Sequence, residues 1–339
     1  ALARFRSQTN KTKFSGWGVE PLLSMINTTY LLTSDYYYLE KFVEIYKYFL
    51  SVRMDNQSRM SFDGAYRPQW ERLDRFNIFN ISPYKNYGDA DPAALMIKRD
   101  WQSLYYSDIN YSGLFIEQML RFAQIIKEYE LVEYMDIADS IIEEAIKVVK
   151  SHENEWVKVS ERSGYYIFPK NSPFYIDGVE IPVNEAAIFG SALVRLYSLT
   201  KQKAWLLRAL KMWNRWSSSF ARDEFGYITY PYVTGDWRRG WTETEAVSVN
   251  SPTSPAIVTP ESFHKAGLTI QFMLLLEKVK PGLLTDYLIE LKKLILASQS
   301  TGGTPIAEFP EGFGFNWPLD TVHANPPFYK GWIALMHNN

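Results

Sequence analysis

The chain has 339 residues, 46% of them hydrophobic, and a formal net charge of −2 from 36 basic and 38 acidic residues. That is enough apolar material for a large core, as one closed domain or two modest ones. Near-neutrality leaves no basic field for a nucleic-acid backbone or an anionic membrane surface. There is no cysteine, which excludes disulfides, thiolate metal ligands and a cysteine nucleophile.

The longest apolar runs, such as Phe272 to Leu276, fall far short of the roughly 18 to 20 residues of a membrane span, so no span is expected. A start at Ala1-Leu2-Ala3 rather than Met fits either trimming of the chain or processing of an exported precursor, the latter giving an expected periplasmic or secreted location. Aromatic residues make up 16% of the chain, with 11 Trp and 23 Tyr. Such an excess suits grooves in which rings stack on sugar faces; the alternative is an aromatic-rich core.

In chain order, Leu39, Phe42, Val43, Tyr46 and Phe49 keep helical spacing. Tyr134, Ile137, Ile141, Ala145 and Val148 repeat it, and Trp205, Ala209, Trp213 and Trp216 do so again. Each of these amphipathic helices follows another helical stretch after a few residues. The predicted hairpins pair 18–33 with 35–52, 111–128 with 131–150, 184–199 with 202–219, and 261–278 with 282–298. A last helix is expected near 327–337, and 92–107 is a further candidate. The first member of a pair is apolar nearly all round and carries small residues, as in Gly190-Ser191-Ala192. The second has a charged face such as Lys201, Lys203, Arg208 and Lys211, which marks inner and outer helices.

Long connections at 53–91, 151–183, 220–260 and 299–326 alternate with the short turns. In antiparallel hairpins that alternation collects every long connection at one rim. These loops are rich in aromatics, as in Tyr66-Arg67-Pro68-Gln69-Trp70, Tyr165 to Pro169 and Tyr227 to Trp241, so they are expected to line a cleft. Gly226 to Tyr230 reads as a short strand.

The hairpin size, Asn184-Glu185-Ala186-Ala187 opening an inner helix and Leu199 to Trp205 turning into an outer one, resemble the six-hairpin toroid superfamily. That group includes polysaccharide lyases, glycoside hydrolases and the helical domain of glucuronyl C5-epimerases. The resemblance covers about 17 to 337 and is architectural. It implies a mainly α fold, a single domain over 1–339 forming an α/α toroid or incomplete barrel, and a polysaccharide or oligosaccharide as substrate.

Candidate chemistry clusters at the expected rim. His264, in the first turn of an inner helix, can share a proton near neutral pH, because a helix N-terminus disfavours its charged form. Asn184 and Glu185 open another inner helix and serve either as cap and first-turn acid or as site residues. His323 precedes the last helix, whereas His152 and His337 read as solvated surface residues. A polymer-uronate lyase needs a group that neutralises the substrate carboxylate, met by Asn184 with Arg238 or Arg239, and a base, met by His264, Tyr230 or Tyr232. Trp237, Trp241, Trp70 and Tyr166 are the expected stacking residues. A hydrolase instead needs two carboxylates, available among Asp108, Glu185, Glu261, Asp63 and Asp177.

β-Elimination on a uronate polymer is the preferred expectation over hydrolysis, C5-epimerisation and non-catalytic glycan binding during export. Neither a Gly-rich phosphate loop, a zinc-binding histidine pair nor a Gly-x-Ser-x-Gly elbow occurs. No cofactor is expected, although loop acids could hold Ca²⁺.

Overall fold

The computed structural model describes residues 16–72, 97–222, 228–259, 261 and 263–299. The described chain is mainly helical. Helices α1 (Gly16–Thr33) and α2 (Tyr36–Ser51) form the first hairpin, and α3 (Ile109–Glu128) and α4 (Met135–Ser151) the second. Helices α5 (Val183–Thr200) and α6 (Lys203–Ser217) form the third. A short α7 (Gly235–Arg239) precedes the fourth, α8 (Phe263–Val279) and α9 (Thr285–Gln299). These are the four hairpins that the periodicity predicts, with ends shifted by a few residues. The largest shift is at α4, where a 3-10 turn, Val132–Tyr134, comes first. The expected helix at 327–337 and most of the loop at 299–326 lie outside the described residues. Of the candidate at 92–107, residues 101–107 are not helical.

Each hairpin turn holds one residue with positive φ: Ser34, Glu130, Lys201 and Gly282. A left-handed residue just past a helix end turns the chain back and satisfies end carbonyls, as where the Lys201 amide donates to Tyr197 O. Two small antiparallel ribbons decorate the bundle. Strand β1 (Trp156–Lys158) pairs with β2 (Gly164–Tyr166), and β3 (Ala221–Arg222) pairs with β4 (Ile228–Thr229), the last within the strand expected near 226–230.

Burial separates inner from outer helices. Helix α3 is buried along almost all of its length and α5 from Val183 to Leu196 apart from Glu185. On α4 only Ala138, Ile141, Ala145, Val148 and Val149 are buried, one stripe of a surface helix. The inner helices pack side by side in the order α1, α3, α5, α8, and α2, α4 and α6 cover their own hairpin partners. Asn110 meets Glu185 at one end of the α3–α5 contact and Gln124 meets Arg195 at the other, so these neighbours run parallel. Their N-termini therefore share the side at which the long connections arrive.

Small residues set the inner-helix spacing. A Cβ at Gly113 would lie 2.9 Å from the Phe189 backbone nitrogen, and one at Gly190 would lie 2.8 Å from the Phe272 ring. Backbone cannot yield as a side chain can. Gly113→Ala is therefore expected to lower stability by roughly 1–3 kcal/mol, read from urea unfolding; an unchanged midpoint would mean that α3 and α5 do not touch so closely. Around this frame the core is aromatic: Phe42 stacks on Phe122 with centroids 4.1 Å apart, and Trp70 stacks on Phe115 at 4.4 Å. Among the described residues, no helix is long and apolar enough to cross a membrane.

Candidate functional site at the inner-helix N-termini

The facing stripes of the inner helices are layered. Leu114 of α3, Ile188 of α5 and Leu268 of α8 are fully buried and touch one another apart from the main core. One turn further toward the C-termini is a polar layer. There Glu117 accepts hydrogen bonds from Arg195 (2.7 Å) and Gln271 (2.8 Å), and Gln118 donates to Glu20 (2.9 Å). Four inner helices thus meet in one buried network.

On the other side of the apolar layer, toward the long loops, are the first turns. Asn110 and Asn184 each stand four residues before their layer residue, and His264 stands four before Leu268. The α8 backbone is helical at His264, and its side chain lies outside the described residues. Asn110 Nδ2 donates to Glu185 Oε2 at 2.9 Å. The segment before α8 crosses this end: the Glu261 amide donates to Tyr230 O, and the Val183 amide of α5 donates to Tyr232 O. Those two bonds bring Glu261, Tyr230 and Tyr232 to the start of α5, beside Glu185.

The two carboxyls differ in environment. Glu261 is fully buried and, among the described residues, accepts one hydrogen bond, from Thr269 at 3.3 Å. Burial lifts its carboxyl well above the usual carboxylate range; Lys265 and Thr269 oppose the lift, and the Glu185 charge adds to it. Glu185 is half-buried and held by Asn110. Tyr232 is half-buried, with Lys265 Nζ 4.0 Å from its ring centroid. Its phenol is raised by burial first and then by the charges of Glu185 and Glu261. Tyr230 is buried, stacked on Phe220, and raised by burial and by Glu261. Both phenols hold their protons firmly, so neither is a ready base.

The other acids are occupied. Asp108 caps α3 through the Tyr111 amide and pairs with buried Arg72. Asp63 pairs with Arg67, which holds its carboxyl below its ordinary value against the opposing effect of burial. Asp177 is buried and accepts from the amides of Asn171, Val249 and Asn250 and from Ser248 Oγ, joining two long loops. Among the described residues, no group of three or more His, Cys, Asp and Glu is placed to hold a metal ion.

The residues expected to stack on sugars are buried. Trp70 lies in the core and donates to Phe49 O, and Tyr166 is buried under Arg208, which donates to its hydroxyl at 2.9 Å. Trp241 is buried and donates to Ser251 O, and Trp237 packs near Tyr232. These rings anchor the long loops to the helices, because an indole buries more area there than any neighbour and its N–H finds a carbonyl. Arg238 and Arg239 are exposed on α7, with Arg239 paired to Asp236 and Glu245. His323 and His337 lie outside the described residues.

His152, expected in solvent, is fully buried. The end of α4 folds onto the first turn of α3, placing its ring between Ser112 Oγ (2.8 Å) and Glu155 Oε2 (2.7 Å). Sequence reasoning also passed over Asn110 and Lys265. Their signal was a polar residue in the first turn of an otherwise apolar inner helix, as at Asn184.

Compared with protein-family models, curated proteins and solved structures, the chain matches none.

Proposed function

We propose that the chain is a carbohydrate-active enzyme with its groove at the N-terminal ends of the inner helices, and that it hydrolyses glycosidic bonds. Glu261 acts as proton donor and Glu185 as the ionised partner. The observation that carries this reading is the unequal pair itself: a fully buried carboxyl that burial raises well above the usual carboxylate range, beside a half-buried carboxyl that accepts from Asn110. Glycoside hydrolysis asks for that division of roles. The other three acids weighed from the sequence are held by helix caps, ion pairs or loop amides. Four successive hairpins with neighbouring inner helices in register support an α/α toroid as the frame.

β-Elimination, preferred from sequence, is less well served by this geometry. Of its three candidate bases, Tyr230 and Tyr232 hold their protons more tightly than in water, which leaves His264, whose side chain lies outside the described residues, and one of its cations, Arg239, is already paired. A panel of neutral and uronate-bearing polysaccharides separates the readings. Hydrolysis is expected to give new reducing ends with no rise in the ultraviolet absorbance of an unsaturated uronate. Reducing ends with that absorbance would establish elimination instead. Exchange of the C5 hydrogen without shortening would mean epimerisation, and gel retardation without any product would mean binding alone.

A further inference from the structure

A cavity of about 690 Å³ opens on the outer-helix wall, where the end of α6, the β3–β4 ribbon and α9 meet. That is within the roughly 300–1,000 Å³ of small-ligand pockets. Its apolar side is made by Phe220, Tyr287, Ile228 and Ile289. Both rings are half-buried, so each keeps surface for a ligand, and Ile289 is 46% exposed. The rings are also held in place. Phe220 stacks on Tyr230 with centroids 5.0 Å apart and meets Tyr287 edge-on at 5.7 Å, and Trp213 packs edge-on against both. A wall fixed before binding leaves little ordering to be done when a ligand arrives.

The polar side carries two cations, Arg222 and Lys293, and two anions, Asp286 and Glu290. Glu290 serves both cations, at 3.0 Å from Arg222 and 3.6 Å from Lys293. A carboxylate, sulfate or phosphate would meet as many like charges as opposite ones, and so would an ammonium or a metal ion. A neutral hydroxyl suits such a wall, because it donates to a carboxylate and accepts from a guanidinium or an ammonium. Hydroxyls set around a ring with apolar C–H faces are what a sugar offers, and Phe220 and Tyr287 supply the flat surfaces. The wall also continues toward the candidate site: Tyr230, on which Phe220 stacks, receives the Glu261 amide at its carbonyl.

We propose that this cavity is a second, non-catalytic glycan site, which holds a neutral oligosaccharide stretch against Phe220 and Tyr287. This rests on the glycan-hydrolase reading and deepens it, since it assigns neutral sugars to the polymer and gives the enzyme a grip on it apart from Glu185 and Glu261.

The test is titration calorimetry on the full chain, wild type and Glu185→Gln, with neutral hexasaccharides of glucan, xylan, mannan and galactan, a galacturonate hexamer and a neutral apolar tetrapeptide amide. At least one neutral hexamer is expected to bind at a site whose affinity Glu185→Gln leaves unchanged. Ile289→Arg puts a bulky charge into the cavity from an exposed position. It should weaken that binding about tenfold or more without lowering the melting temperature. Tyr287→Ala should weaken it as much by removing a stacking surface; if that variant fails to fold, Ile289→Arg alone decides. On the cleaved polymer, Ile289→Arg should raise KM and leave the rate on a short glycoside unchanged.

Unchanged affinity in either folded variant overturns the proposal, as does binding of no hexamer, of the uronate alone or of the peptide alone. Binding that is lost in Ile289→Arg while no polymer is ever cut would leave this site standing and remove the hydrolase. Cutting whose KM and ligand affinity ignore Ile289→Arg would do the reverse.

Discussion

Replacing Glu261 with Gln is expected to lower kcat on the cleaved polymer by roughly 10²–10⁴-fold, the usual loss on removing a general acid. KM should change little. Glu185→Gln should fall at least as far, since it removes the charge that activates water or attacks the sugar. The pH profile separates the two. In the proposed mechanism Glu261 acts in its protonated form, so activity is expected to fail at high pH as Glu261 loses its proton.

Because burial raises the folded-state value of Glu261, the alkaline limb belongs to Glu261. Glu261→Gln should erase that limb in whatever activity remains. Stability carries the opposite signature. With a folded value above the unfolded one, the contribution of Glu261 is fully present below the unfolded value and is lost as pH rises through the folded one. Glu261→Gln should therefore stabilise the protein at alkaline pH while silencing it. Retained activity with an unchanged alkaline limb would remove Glu261 from the mechanism.

The largest loss of stability is expected at Glu117. Its carboxylate is fully buried and receives Arg195 and Gln271 from two other inner helices, and Arg195 also reaches Gln124. Glu117→Ala would strand the Arg195 guanidinium away from water, at a cost of roughly 3–5 kcal/mol. Replacing both members, Glu117→Leu with Arg195→Met, should recover most of that loss, because the penalty lies in the unpaired charge and not in the absence of the pair. Denaturant unfolding of the two single variants and the double variant measures this directly. A single-variant loss below about 1 kcal/mol would mean that Arg195 finds another anion.

Much of the helical frame could be read from the chain, because an inner helix must be apolar nearly all round and an outer helix on one stripe only. The contrast between Phe189 to Leu196 and Lys201 to Lys211 is visible without coordinates. The turns were less legible: Ser34, Glu130 and Lys201 adopt left-handed backbone without the glycine that usually announces it. Glu185 and Glu261 were both named among five acids, but their selection depends on partners that arrive from far along the chain. Arg72 reaches Asp108 and Ser248 reaches Asp177 across separations that no local pattern encodes. The aromatic loops misled for a related reason. Trp70 and Trp241 look like groove walls by composition, yet a ring in a loop serves as well to pin the loop down, and only the fold decides which surface it meets. His152 was misplaced because the charged stretch around it, Lys150 to Glu155, suggests solvent. Ser112 and Glu155 supply the polar partners that allow an imidazole inside.

Leu114, Ile188 and Leu268 act as a stopper between α3, α5 and α8. With no exposed surface on any of the three, a polymer cannot be threaded lengthwise between these helices, as it is through a processive clamp. The stopper also insulates: it sets a dry layer between Glu185 and Glu261 on one side and Glu117 and Arg195 on the other, so on the proposed mechanism a charge change at the first pair would be felt little by the ion pairs that hold the helices together.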